Sequence, residues 1–154
     1  FETFESFANA DLNDIYGEKM LKKALHYKAN TFANSWVENN NGEFIVHKLP
    51  TRAQFTSINK FEIFDYNGDN FPDILIGGNL YEAEVETPRN DSGIGLVLVG
   101  NSKGHFKVLD MNESGFYVPG EIRDIKSIKI GNQQKPAFIF ARNNDSLLLI
   151  EQKK

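Results

Sequence analysis

From residue 29 onward, short apolar runs alternate with clusters of turn-forming residues. The runs are Phe44-Ile45-Val46, Phe61-Glu62-Ile63-Phe64, Ile74-Leu75-Ile76, Leu96-Val97-Leu98-Val99, Ala137-Phe138-Ile139-Phe140 and Leu147-Leu148-Leu149-Ile150. Most have the length of buried strands. Between them lie Asn39-Asn40-Asn41-Gly42, Asn67-Gly68-Asp69, Gly77-Gly78-Asn79, Asn101-Ser102-Lys103-Gly104 and Asn143-Asn144-Asp145, in which Asn and Gly supply the positive φ of tight turns. The first 28 residues read differently. Phe4, Phe7 and Ala8 share a helical face, Leu12, Ile15 and Tyr16 share another after the N-cap residue Asp11, and Gly17 breaks the run. Met20, Leu21, Ala24 and Leu25 then form the stripe of a further short helix, with Lys19, Lys22 and Lys23 facing solvent.

The strand region repeats itself. Ser35 to Phe44 and Val97 to Phe106 share an apolar strand, a polar turn and a Gly-x-Phe, with Gly42 and Gly104 as landmarks 62 positions apart. Phe71 to Asn79 and Lys135 to Asn143 also match, with Pro72 and Pro136 lying 64 apart. A period of this size built from strands and hairpins reads as propeller blades of four antiparallel strands. The expected fold is therefore mainly β, with about two blade units of a partial propeller behind a short helical segment. Residues 1–28 are expected to pack on the blades, and 29–154 to form the repeat region, with a full unit at about 55–110 and partial units on either side. Two units cannot close a ring, so an oligomer, a helical cover or the remainder of a longer propeller is expected over the open faces.

Composition narrows the function classes. The net charge of −4 and the absence of a Lys/Arg stripe argue against a nucleic-acid surface. No cysteine is present, which removes disulfides and thiolate metal sites. No apolar run approaches the roughly 20 residues that span a bilayer. Phe1 stands where an initiator Met would, so the chain is expected to be cut from something longer.

One motif carries chemistry. In Asp65-Tyr66-Asn67-Gly68-Asp69-Asn70-Phe71-Pro72-Asp73, side-chain oxygens fall at alternate positions, Asp65, Asn67 and Asp69, and again at Asp73, while Phe71 supplies a backbone carbonyl. Hard oxygen donors at this spacing suit calcium, which takes six to eight of them, better than magnesium with its strict octahedron. An EF-hand is excluded, because Ile76 stands where that loop needs its bidentate Glu and Asn70 where it needs Gly. The same turn in the second copy, Ile130 to Ala137, has no acidic residue. The ion is therefore expected to stiffen one loop and not to make the fold.

With these residues the chain resembles the FG-GAP or VCBS repeat proteins, whose blades build integrin-α-like β-propellers around a D-x-[DN]-x-D-G-x-x-D calcium loop. Asp65, Asn67, Asp69 and Asp73 match its ligand positions, Phe71 its carbonyl position, and Gly42-Glu43-Phe44 and Gly104-His105-Phe106 its strand entry. Asn70 departs from the usual Gly. Phe7-Ala8, Glu38-Asn39-Asn40, Leu49-Pro50 with Ala53-Gln54-Phe55, Gly77-Gly78-Asn79, Ser114-Gly115-Phe116 and Ala141 to Asp145 further resemble the C-terminal end of large VCBS-repeat proteins of Bacteroidetes-type bacteria. The resemblance implies an extracellular, cell-surface or periplasmic protein. Its expected role is that of a calcium-stabilised, non-enzymatic binding or scaffolding module with a protein or glycan ligand and no catalytic residues. The alternative is a carbohydrate-active enzyme or its carbohydrate-binding accessory domain.

Other groups read as structural. His26, His47 and His105 lack a metal-ligand spacing. Glu82, Glu84 and Glu86 could be paired acids of a glycosidase but read first as a solvated face. Thr87 to Gly93 is a long insertion in which Arg89 and Asp91 can pair, and Trp36 reads as packing before it reads as a sugar platform.

Overall fold

The computed structural model describes residues 1–152 and divides into two compact units, Phe1–Phe32 and the chain from Ala33 on. The first unit holds three short helices, α1 (Phe4–Ala8), α2 (Leu12–Tyr16) and α3 (Glu18–Leu21). Their starts are set by side-chain caps. Thr3 Oγ1 accepts from Ser6 N at 3.1 Å, and Asp11 Oδ1 accepts from Asn13 N at 2.7 Å and Asp14 N at 3.0 Å. Gly17, at φ 76°, separates α2 from α3. The third helix is shorter than its apolar stripe suggests: Ala24 and Leu25 lie beyond its end. One turn is too short to be stable on propensity alone, and none of the three helices has a buried residue.

The second unit is mainly β, in three antiparallel sheets. β1 (Ser35–Asn40) pairs with β2 (Glu43–Lys48). A one-turn 3₁₀ helix at Thr51–Gln54 leads into a four-stranded meander of β3 (Ile58–Phe64), β4 (Asp73–Gly78), β5 (Leu96–Val99) and β6 (Lys107–Leu109). A fourth helix, α4 (Met111–Ser114), ends at Gly115 in the left-handed conformation. β7 (Ile122–Ile130), β8 (Lys135–Arg142) and β9 (Leu148–Glu151) form the last sheet. Among the described residues no helix is long and apolar enough to cross a membrane.

The central sheet has a core on each side, which is why its inner strands β4 and β5 carry unbroken apolar runs. Successive side chains of a strand point to opposite faces. Leu75 and Val97 enter one cluster with Phe116, Val118, Ile122, Ile125, Phe138 and Phe140, while their neighbours Ile76 and Leu98 enter another with Leu49 and Ala53. Trp36, Ile58 and Phe106 pack on the second cluster. That cluster stops short of the outer side of β3. Phe61 and Ile63, opposite Ile76 and Ile74, are 55% and 59% exposed. The β1–β2 hairpin is likewise open: Val37, Phe44 and Val46 face solvent, so these runs are strands but not buried ones.

The hairpins β3–β4 and β7–β8 share irregularities at matching places. The pairing slips between Ile58 and Lys60 in the first, and 64 positions later between Ile122 and Asp124 in the second. Asn79 N donates to Ser57 O, and Asn143 N to Glu121 O. Asn70 and Gln134 both have positive φ. Gly77 and Gly78, read from sequence as part of a turn, lie within β4. Their role is close approach. A Cβ on Gly77 would stand 2.8 Å from Ile122 Cγ2, and one on Gly78 only 1.7 Å from Ser57 O.

Candidate functional site

The Asp65–Asp73 segment joins β3 to β4 and folds through its own side chains. Asp65 Oδ1 accepts from Gly68 N at 2.7 Å and Asp69 N at 3.2 Å, and its Oδ2 accepts from Asn70 N at 3.0 Å. Asn67 Nδ2 donates to Asp69 Oδ2 at 2.8 Å, and Asp69 Oδ1 accepts from Phe71 N at 2.8 Å. These are the Asx contacts by which short acidic side chains stand in for backbone acceptors. Asn70 adopts φ 66°, which Asn tolerates better than other non-glycine residues, so it takes the place that glycine usually fills in such loops.

Asp73 lies elsewhere. It is fully buried at the start of β4, where Oδ2 accepts from Tyr66 N at 2.7 Å and Oδ1 from Gly100 N at 2.8 Å. Gly100 is needed there, since a Cβ would meet Pro72 O at 2.2 Å. Asp65, Asn67 and Asp69 are exposed at the loop. The five expected donors thus split into an exposed trio, the Phe71 carbonyl and a buried clamp. Among the described residues no three His, Asp or Glu side chains converge as a metal-holding group. The donors nonetheless fit a hard cation in kind. An ionised carboxylate offers about four lone-pair sites, so an oxygen that accepts one N–H can still face an ion. Among the described residues, none of Asp65, Asp69 and Asp73 forms an ion pair with Lys, Arg or His.

The other sequence candidates are engaged in holding structure. Glu82 Oε1 accepts from Asn144 Nδ2 at 2.8 Å. Arg89 Nε meets Asp91 Oδ2 at 3.0 Å while its guanidinium lies 4.7 Å from the Tyr81 ring centre, a cation–π contact. The loop that leads into and includes the first part of the Thr87–Gly93 insertion is closed by reciprocal backbone bonds of 2.8 Å between Leu80 and Asn90, and Val85 within it projects fully into solvent. Trp36 stacks on His47 at 4.3 Å, meets Phe106 edge-on at 6.0 Å and lies over Gly104. With both sides occupied, it is a packing residue. His47 in turn meets Glu38 at 2.8 Å.

Sequence reasoning missed the polar joint at the head of the central sheet. Asn79 is buried. Its Oδ1 accepts from Thr56 Oγ1 at 2.9 Å and Gly93 N at 2.8 Å, and its Nδ2 donates to Gly93 O at 2.7 Å and Gly120 O at 2.9 Å. One amide therefore ties three loops together. Its signal was present in the pairing of Asn79 with Asn143, but a turn reading absorbed it. Beside this joint an apolar groove of about 110 Å³ is lined by Ala53, Ile58, Ile76, Gly78, Gly93 and Leu96.

Across the sheets, Glu62 Oε1 accepts from Ser127 N at 3.0 Å and Ser127 Oγ at 2.6 Å, and Lys60 Nζ meets Asp124 Oδ1 at 2.8 Å. Partial burial pushes the Glu62 carboxyl upward, but the two Ser127 bonds and the charges of Lys126 and Lys60 outweigh it and hold the group below the usual range. Lys60 depresses Asp124, and Asp124 raises Lys60.

Comparison with known protein families finds no family model that matches the chain, and comparison with curated proteins finds no match.

Proposed function

We propose that the chain from Ala33 on is a blade-built segment of an FG-GAP or VCBS type repeat protein, exported to a bacterial surface. It acts as a binding or scaffolding module without catalysis, and its Asp65–Asp73 turn takes calcium. One comparison carries the reading. The hairpins β3–β4 and β7–β8 share their bulge, closing hydrogen bond and left-handed turn residue, yet only the first turn bears aspartates. The Ile130–Ala137 turn forms without acids, so a hairpin of this shape does not require the carboxylates that fold the Asp65–Asp73 turn. Asp65 and Asp69 are exposed on one turn, and among the described residues neither pairs with Lys, Arg or His; a divalent cation relieves the repulsion between such like charges.

In this reading Asp65, Asn67, Asp69 and the Phe71 carbonyl hold the ion, the buried Asp73 anchors the end of the loop through Tyr66 N and Gly100 N, and the ion supplies stiffness. The exposed Phe61 and Ile63 support further strands over the β3 face. The groups that would serve a carbohydrate-active enzyme lend that alternative no support, since Glu82 is tied to Asn144 and Arg89 to Asp91 and Tyr81.

Thermal unfolding in calcium and in chelator tests the metal part. For a dissociation constant near 0.1 mM, typical of weak extracellular modules, millimolar calcium adds roughly 1 to 2 kcal/mol. That increment disappears in Asp69→Asn, which removes the charge and keeps one acceptor oxygen, enough for the bond from Phe71 N. A glycan array run beside a pull-down from cell-surface extract tests the binding part. Turnover of a polysaccharide with no retained ligand would overturn it.

A further inference from the structure

We propose that the β3–β4 turn promotes the deamidation of its own Asn67, which makes Asn67-Gly68 a site of self-modification. An Asn-Gly pair is open to this reaction because glycine has no Cβ to hinder the approach of its nitrogen to the preceding side chain. The chain contains the pair twice, at Asn41-Gly42 and at Asn67-Gly68. Both pairs are exposed in the turn of a hairpin. Both glycines have positive φ, 97° at Gly42 and 81° at Gly68, and a Cβ on either would meet nothing within 4 Å. Sterically the two sites are alike, but their hydrogen-bond partners differ.

The reaction closes a cyclic imide. Gly68 N bonds to Asn67 Cγ, the Cγ–Nδ2 bond breaks, and the amide leaves as ammonia with the proton that Gly68 N gives up. Water then opens the imide at either carbonyl, which leaves aspartate or isoaspartate. The turn supplies a group for each part of this step. Asp65 Oδ1 accepts from Gly68 N at 2.7 Å, so a carboxylate already lies on the proton to be removed. Asp69 N donates to Asn67 Oδ1 at 3.0 Å, the oxygen on which negative charge gathers as the nitrogen adds. Asp69 Oδ2 accepts from Asn67 Nδ2 at 2.8 Å and so holds the amide that departs. Around Asn41 these groups are missing. Gly42 N donates at 2.8 Å to Asn39 Oδ1, a neutral amide oxygen, and among the described residues no backbone N–H reaches Asn41 Oδ1. The product adds a carboxylate to a turn that already carries Asp65 and Asp69, so the turn grows more acidic as the protein ages. The reaction uses no cation, so it goes beyond the calcium reading and does not depend on it.

The test follows the whole chain with time at neutral pH in chelator, reading both sites by peptide mass spectrometry, with the urea-unfolded chain as reference. In the folded chain Asn67 is converted about three- to tenfold faster than Asn41, a modest factor for a positioned base because the carboxylate is exposed. In urea the two rates converge. Asp65→Asn slows conversion at Asn67 by a similar factor and leaves Asn41 unchanged. Hydroxylamine, which cleaves the imide, cuts the folded chain after residue 67 in preference to residue 41. If the Asp65 bonds only hold the turn rigid, the same variant frees it and Asn67 reacts faster, which overturns the proposal. A folded chain whose Asn67 reacts no faster than in urea also overturns it, and that comparison needs no variant.

Discussion

Asn79 and Asp73 show what a single side chain does here. Each is buried, and each joins segments that are distant in sequence through backbone groups that have no water to turn to. Replacing Asn79 by Ala leaves the peptide groups of Gly93 and Gly120 without partners, and is expected to cost about 3 to 5 kcal/mol. Urea unfolding would register this as a lower midpoint at unchanged slope. Neither role was legible in the residues. Asp73 fell on an alternate-oxygen pattern that a calcium loop and a buried backbone clamp share. Asn79 followed two glycines, and Gly-Gly-Asn is the signature of a turn until the close approach of Ser57 and Ile122 is known. Asp11, by contrast, was readable as an N-cap because capping is a local contact.

At the scale of elements, β4 and β5 were readable because they are packed on both faces and carry the continuous apolar runs Ile74-Leu75-Ile76 and Leu96-Val97-Leu98-Val99. The sequence could not tell which strands would be covered. Phe44-Ile45-Val46 has the composition of a buried strand but belongs to a two-stranded ribbon with an open face. Between β3 and β7 the sheets are joined by Glu62 with Ser127 and by Lys60 with Asp124, and the sign of the pH effect follows from the shifts. Glu62 and Asp124 are held below their usual range, so their contribution is complete above the unfolded carboxylate range and is lost as pH falls through the folded values. Lys60 is raised, so its contribution is complete below the unfolded lysine value and is lost as pH rises through the folded one. Unfolding midpoints between neutrality and acid should fall less steeply for Glu62→Gln than for the unaltered chain. Equal slopes would mean that the joint carries no linkage.

For the whole second unit, the central sheet is a wall with a complete core on one side and a partial one on the other. Leu75 and Ile76 are both buried, yet Phe61, opposite Ile76, is more than half exposed. Ile76→Ala is expected to cost about 2 to 5 kcal/mol as a buried truncation, while Phe61→Ser costs under about 1 kcal/mol as a surface change. Similar costs at the two positions would show that the β3 face is covered in solution. The strand-rich fold was legible because clusters of turn residues separate apolar runs of strand length. Which faces would lie open was not, because Phe61 and Ile63 have the same apolar character as the covered Ile76 and Ile74 opposite them.

Titration calorimetry of calcium into the chain puts the ion to the most direct trial. One site is expected, with a dissociation constant on the order of 0.1 to 1 mM, and its heat should vanish in a variant carrying both Asp65→Asn and Asp69→Asn while the fold persists. An unaltered chain that releases no heat of binding at millimolar calcium would show that the three aspartates do no more than close their own turn.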